Sequence, residues 1–375
     1  MVRILHCADI HLGTSFARMG LPPTVGNTLR EELRSTLGSI LSDARRLQVD
    51  AVTFAGDLYE QSTAVPDTAR FLRQQFDRMG STQVLIAPGE RDAYSAHSLY
   101  AHTQWPRNVH VFSSPEFQPF KLSPSVTIWG AACPIPEPTA WQQQIVDHPG
   151  STNVMLAHAT DTLSSKSSLV VVSENVLQRT NVQLALLGGS HSARVPVAGE
   201  RIVFPGSPQP LDWGDTDVER GVVLVSIEDG RCTFEQIRFR TWRLVDIAVS
   251  VEECHKAEEV ADRIERELTL HDSQRLSAVV AKVILHGEPV GDFTLADVRA
   301  AMPSEANVVL HRSFAFPYDL DQLAMEQTVR GTLVRNVRGQ LNATNDADAK
   351  KDLLAALKIV LLALDGRQVH LDAIG

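Results

Sequence analysis

Apolar positions along the first half of the chain alternate between short runs and helical stripes. Val2–Cys7 is an apolar run that predicts a strand. Leu29, Leu33, Leu37, Ile40, Ala44 and Leu47 then recur at helical spacing and define one apolar face. Ala51–Ala55 reads as a second strand, Phe71, Leu72, Phe76 and Met79 as a second helix, and Val84–Ala87 as a third strand. This β-α-β-α-β rhythm predicts a layered α/β core. Beyond it the helical signal weakens. Short strands are expected at Val109–Phe112, Val126–Trp129, Val154–Ala157, Leu184–Leu187, Ile202–Phe204, Val222–Ile227 and Thr233–Phe239.

The pattern restarts at Leu244. Leu244–Val251, Leu276–Leu285 and Asn307–His311 read as strands, with helices at Lys256–Leu270 and Phe293–Ala301 between them. Three regions follow: residues 1–240, a compact β-α-β-α-β unit over 241–313, and residues 314–375 as a linker with two helices. Phe314–Tyr318 is the expected linker, and Thr160–Ser168 a polar loop. The tail helices are expected at Ala324–Leu341 and Ala347–Leu364. The second carries Leu353, Leu354, Leu357, Val360, Leu361 and Leu364 on one side, a stripe that either packs on the protein's own first domain or docks a partner.

Composition narrows the class. Hydrophobic residues make up 43% and charged residues 21%, which excludes a disordered chain or a coiled-coil rod. The longest strongly apolar stretch, Leu353–Leu364, is short and contains Lys358, so no membrane span is expected. Residues 2–8 already read as a strand, which leaves no targeting segment in the expectation. Cys7, Cys133, Cys232 and Cys254 are scattered without disulfide or zinc spacing, and a reducing cytoplasm is the simplest home. The net charge of −10 means that any nucleic-acid role must rest on a local site.

Such a site is visible. Asp9 and His11 follow the first strand, Asp57 the second, and Glu90, Arg91 and Asp92 the third; His158 ends a strand, and His191 lies just past another. Ends of parallel strands gather on one edge of an α/β sheet, so residues far apart in sequence converge there. Asp and His suit divalent manganese, iron or zinc. Each residue alone has a plainer reading, as a hydrogen-bonded structural histidine or a turn aspartate. The joint spacing of Asp-x-His, Gly-Asp and Pro-Gly-x-x-Asp carries the metal reading.

These motifs resemble the calcineurin-like metallophosphoesterases, and most closely their DNA-repair branch of SbcD and YhaO-type exonucleases. Leu12-Gly13 after His11, the Phe204-Pro205-Gly206-Ser207-Pro208 element and the tail segment Thr328-Val329-Arg330-Gly331 are similar to that branch. The resemblance implies a two-sheet α/β sandwich flanked by helices, a small α/β cap domain and a helical C-terminal tail. It implies one divalent ion, manganese by expectation, on Asp9, His11, His191 and a bridging Asp57. A second ion would sit on Asp57, Glu90 and His158, with catalytic roles for Arg91 and Asp92.

Two positions depart from the family pattern. Gly189 stands where a second-metal histidine is expected, and Arg91 where a proton-donating histidine is expected. A guanidinium holds a phosphate well but is a poor general acid. Restoring histidine at 189 and 91 is therefore expected to raise activity. Three readings remain at this point: an attenuated DNA-end nuclease working with an SbcC-like coiled-coil ATPase, an inactive scaffold of the same assembly, and a small-substrate phosphoesterase. The resemblance also implies DNA as partner and a possible homodimer. The helix around Thr68–Arg78, with Arg70, Arg73 and Arg78 beside Phe71, Leu72 and Phe76, is either a solvated face over a core stripe or part of such an interface.

Overall fold

The computed structural model describes residues 1–135, 140–146, 150–160, 169–197, 199–215, 220–239, 241–271, 279–287, 289–291, 293–303, 306–312, 320–344 and 346–365. The expected linker Phe314–Tyr318 and most of the expected loop Thr160–Ser168 lie outside these residues. The chain divides into two compact units, Met1–Arg243 and Leu244–Gly375.

In the first unit the elements run in the order β1 (Val2–Cys7), α1 (Pro23–Arg46), β2 (Ala51–Phe54), α2 (Pro66–Asp77), β3 (Gln83–Ile86), α3 (Leu99–His102), β4 (Val109–Val111), β5 (Gln118–Ser123), β6 (Val126–Gly130), β7 (Thr152–Thr160), β8 (Val170–Val171), α4 (Glu174–Leu177), β9 (Leu184–Gly188), β10 (Ile202–Val203), β11 (Gly221–Glu228) and β12 (Arg231–Arg238). Among the described residues these form two main sheets, ordered β12-β11-β1-β2-β3-β4 and β10-β9-β7-β6-β5, with β8 beside β7. Strands β1 to β4 are mutually parallel, as are β6, β7, β9 and β10.

One apolar core holds the two sheets together. Ile4, Ala51, Leu85, Val223 and Val225 from the first sheet pack in one cluster with Ile128, Val154, Leu156, Leu184 and Val203 from the second. This is the expected two-sheet sandwich. Helix α1 turns Leu29, Leu33, Leu37, Ile40 and Ala44 inward. Helix α2 buries Leu72 and Phe76 and leaves Arg70, Arg73 and Arg78 exposed. Strand β5 escaped the sequence reading because QPFKLS is an edge strand with no fully buried position.

The second unit contains β13 (Arg243–Ser250), α5 (Ala257–His271), β14 (Val279–His286), α6 (Leu295–Ala301) and β15 (Asn307–Arg312), then α7 (Leu320–Met325), α8 (Val329–Ala343) and α9 (Ala347–Leu364). The three strands pair in the order β13-β14-β15 over their own core. The expected single helix at Ala324–Leu341 is two helices. Thr328 stops the first by capping the second, its hydroxyl accepting from the Gly331 amide at 3.1 Å. The stripe on α9 is split between packing and exposure. Leu357 and Leu361 are buried in a small cluster with Leu323 and Val334 of the neighbouring tail helices. Leu353 is half-buried, while Leu354, Val360 and Leu364 are exposed. No described helix is long and apolar enough to cross a membrane.

Candidate metal centre

The site grows from two loops at the ends of neighbouring parallel strands. After β1 the chain turns through Asp9 and His11, and after β2 through Gly56 and Asp57. Asp9, His11 and Asp57 all adopt left-handed backbone, with φ of 52°, 51° and 51°. Such conformations cost about 1–3 kcal/mol each in non-glycine residues and persist only where the surroundings enforce them. Here a ladder enforces them. The amides of Asp9, His11 and Leu12 donate to the carbonyls of Gly56, Asp57 and Leu58, and the Glu60 amide donates back to Leu12. Strain spent on aiming three ligand-type side chains at one place is a mark of function.

Asp92 braces the second loop from behind. Its buried carboxylate accepts from the amides of Asp57 at 3.0 Å, Leu58 at 2.9 Å and Gly89 at 2.6 Å, and from the Tyr100 hydroxyl at 2.6 Å. Burial and the Asp57 charge push its carboxyl up to about 6, against the pull of these donors. Asp92 does not line the cleft. The amide of Arg91 donates to Oδ1 of Asp57 at 2.8 Å. That leaves Oδ2 of Asp57 facing inward, 3.6 Å from Nε2 of His11 and 3.6 Å from Nε2 of His158.

The three histidines are set alike. Nδ1 of His11 meets Oε1 of Glu60 at 2.7 Å, Nδ1 of His158 meets the Ala55 carbonyl at 2.8 Å, and Nδ1 of His191 meets Oδ2 of Asp215 at 3.2 Å. A carboxylate or a carbonyl only accepts, so each Nδ1 carries a proton and, in the neutral ring, each Nε2 keeps its lone pair. Gly56 permits the His158 arrangement: a Cβ there would lie 2.4 Å from that ring's Nδ1. Burial lowers the His158 imidazole, but the charges of Asp57 and Asp9 outweigh it and raise its pKa. The hydrogen bond to Asp215 raises His191. Burial raises the Asp9 carboxyl more than His158 and His11 lower it.

Two residue groups bring ligand atoms within 4.8 Å of one another: Asp9, His11 and His191, and Asp9, Asp57 and His158. Oδ1 of Asp9 and Nε2 of His11 are buried with no hydrogen-bond partner, at a separation of 4.0 Å. Ligands each about 2.1 Å from one ion stand about 3–4 Å apart. Unpartnered buried polar atoms at that spacing, backed by Nδ1 donors, fit a divalent cation.

Of the residues expected from sequence, Asp9, His11, Asp57, His158 and His191 come together. Glu90 lies outside both groups; it is exposed and lines the cleft with Arg91. At the expected second-metal histidine, Gly189 has φ of 100°, and its amide donates to Oδ2 of Asp9 at 3.1 Å. A Cβ at this position would stand 2.6 Å from the Ala159 carbonyl oxygen. A histidine at 189 would therefore need the backbone to shift, which counts against the expected rescue. Sequence reasoning assigned no role to Glu60 or Asp215. Glu60 follows Asp57 by three residues in the same loop, whereas Asp215 carries no motif signal.

The Phe204–Pro208 element lies behind His191. The Ser207 amide donates to the His191 carbonyl at 3.1 Å, and Phe204 pairs with Arg194. The buried Arg220 guanidinium ties this loop together, donating to the carbonyls of Ser207, Gln209 and Asp215.

The calcineurin-like phosphoesterase family model matches residues 2–193, and the chain belongs to that family. The two ligand groups are of the kind that a divalent metal ion needs. The chain is 25% identical over 244 residues to YhaO of Bacillus subtilis (strain 168), an uncharacterized metallophosphoesterase. That match covers 62% of this chain and 59% of the relative's length. Among solved structures, a dimetal phosphatase from Danio rerio matches 63% of this chain and 95% of its own, with 13% identity and a TM-score of 0.41. A protein of Thermus thermophilus, TT1561, matches 63% of this chain and 99% of its own, with 13% identity and a TM-score of 0.37.

Proposed function

We propose that this protein is an SbcD-like nuclease subunit that hydrolyses phosphodiester bonds at DNA ends, slowly, alongside a coiled-coil ATPase. The observation that carries the hydrolytic part is the position of Oδ2 of Asp57, equidistant at 3.6 Å from Nε2 of two histidines, His11 and His158, each held through its Nδ1. Asp9, His11 and His191 would hold one divalent ion, and Asp57 and His158, with Asp9, a weaker second. Bound divalent ions polarise a phosphoryl oxygen and lower the pKa of a water nucleophile. Manganese is the ion proposed, since mixed histidine and carboxylate ligands suit it.

The chain's own residues do the rest. Arg91 lines the cleft with its side chain exposed, where a guanidinium can grip a phosphate through two hydrogen bonds. It supplies no proton to the leaving oxygen, so that proton comes from solvent and turnover is slow. Asp92 acts by positioning Asp57, through the amide contacts already described. The cleft is about 390 Å³ and is lined by Asp9, His11, Asp57, Arg91, His158 and His191. DNA is favoured by the resemblance of the Phe204–Pro208 element, which underlies His191, to the DNA-repair branch. The ATPase would dock through the C-terminal tail, where Leu354, Val360 and Leu364 of α9 are exposed.

The inactive-scaffold reading keeps one specific support, the amide of Gly189 standing where a ligand side chain is expected. Both readings separate in one assay. Purified full-length protein is incubated with end-labelled DNA, a nitrophenyl phosphodiester and a nitrophenyl phosphomonoester over a manganese series. The proposal expects slow, manganese-dependent cleavage of DNA and of the diester, abolished in Asp57→Ala. Cleavage of the monoester alone favours the small-substrate reading, and no cleavage at millimolar manganese favours the scaffold.

A further inference from the structure

We infer that Glu60 and Asp215 are positioning residues of the metal centre, each fixing one histidine of the Asp9–His11–His191 group so that its Nε2 faces the ion. This rests on the metal reading above and extends it to residues that touch no ion.

The geometry separates the histidines. His158 is 3% exposed, and its ring is held by packing and a neutral backbone carbonyl. His11 is 7% exposed, but its Nδ1 meets a carboxylate, Oε1 of Glu60, at 2.7 Å. His191 is 37% exposed, and Asp215 is the polar partner of its ring, with contacts of 3.2 and 3.4 Å. An imidazole that exposed is free to change rotamer unless a partner holds it.

Asp215 is itself held. Its Oδ2 accepts the Leu211 amide at 2.9 Å, and its carbonyl accepts from Arg220 at 2.6 Å. A carboxylate behind a histidine fixes the tautomer and makes the ring a better donor to a cation. Both anionic tethers serve the same ligand group, and the other group has none on its histidine. One ion position is therefore built to bind more tightly than the other.

The test titrates cobalt(II) into metal-free, full-length protein and records histidine ring ¹⁵N shifts before metal is added. Variants are Glu60→Gln, Glu60→Ala, Asp215→Asn and Asp215→Ala, with circular dichroism as the fold check. The wild type should show His11 and His191 protonated at Nδ1. Each alanine variant should lose that tautomer at its own histidine and weaken the tighter cobalt step by about 10–100-fold. The larger loss is expected for Asp215→Ala, because His191 is the more exposed ring. Glu60→Gln keeps an acceptor oxygen, so it should keep the tautomer and lose less. If Asp215→Ala does not fold, Asp215→Asn and the two Glu60 variants still decide the question. Folded variants with unchanged ring shifts and cobalt affinity within about twofold of wild type would overturn the positioning roles. Wild-type protein that takes up no cobalt would overturn the metal reading itself.

Discussion

The amide of Gly189 donates to Oδ2 of Asp9 at 3.1 Å, so a backbone group occupies the side of Asp9 that faces the end of β9. The contact needs the φ of 100° that glycine adopts freely. It also leaves Oδ1 of Asp9 as the unpartnered oxygen. Gly189 is thus more than a lost ligand; it fixes which oxygen of Asp9 is available.

Gly189→His should consequently fail to restore a second strong ion position. The added Cβ meets the Ala159 carbonyl oxygen at 2.6 Å. Together with the positive φ this should destabilise the first unit by about 1–3 kcal/mol. The check is a thermal melt beside a metal titration. A variant as stable as wild type that gains a tight second ion would show that the backbone adjusts more readily than this packing allows.

Asp92→Asn should damage both stability and metal binding although Asp92 lies outside the cleft. Four donors converge on its carboxylate, and an amide presents its own N–H groups to some of them. Leaving a buried donor unpaired costs about 1–3 kcal/mol. For a unit this large each kcal/mol lowers the midpoint by about 2–4 °C. Tyr100→Phe removes one donor only and should cost less. A melting point for Asp92→Asn equal to that of Tyr100→Phe would contradict the bracing role.

His6 makes stability sensitive to acid. It is buried against Thr53 and the Leu187 carbonyl, and burial lowers its pKa from 6.5 to about 3. The unfolded chain therefore takes up this proton below pH 6.5, while the folded chain resists until about pH 3. The His6 contribution is fully present above the unfolded value and is lost as pH falls through that window, by about 1.4 kcal/mol per unit. Urea unfolding at pH 6.5 and pH 5 in wild type and His6→Gln checks this. The stability difference between the two pH values should shrink by about 2 kcal/mol in the variant. An unchanged difference would mean that other groups carry the acid dependence.

Sequence and structure meet most closely where periodicity or strand ends carry the information. The stripe from Leu29 to Ala44 marks a helix because 3.6-residue spacing puts those side chains on one face. Asp9, His11 and Asp57 were legible because the ends of the parallel strands β1 and β2 share an edge, while His158 on β7 and His191 beyond β9 come from the second sheet, a convergence of two sheets that the strand pattern alone does not show. Asp215 was not, since its place beside His191 depends on how the chain returns after Phe204–Pro208, held by Arg220. Glu60 stood within a recognised motif, yet only the crossing of two loops shows that it reaches Nδ1 of His11. The break between α7 and α8 had a local signal in Thr328, which helical periodicity on either side concealed. The obstruction at Gly189 is a matter of backbone φ and a carbonyl from another strand, and no residue pattern reports either.

The most direct measurement is a manganese titration of metal-free, full-length protein by calorimetry, run in parallel with His191→Ala and His158→Ala. The account predicts two binding steps in the wild type. The tighter should disappear in His191→Ala, and the weaker in His158→Ala. No manganese uptake at millimolar concentration, or two steps unaltered in both variants, would contradict it.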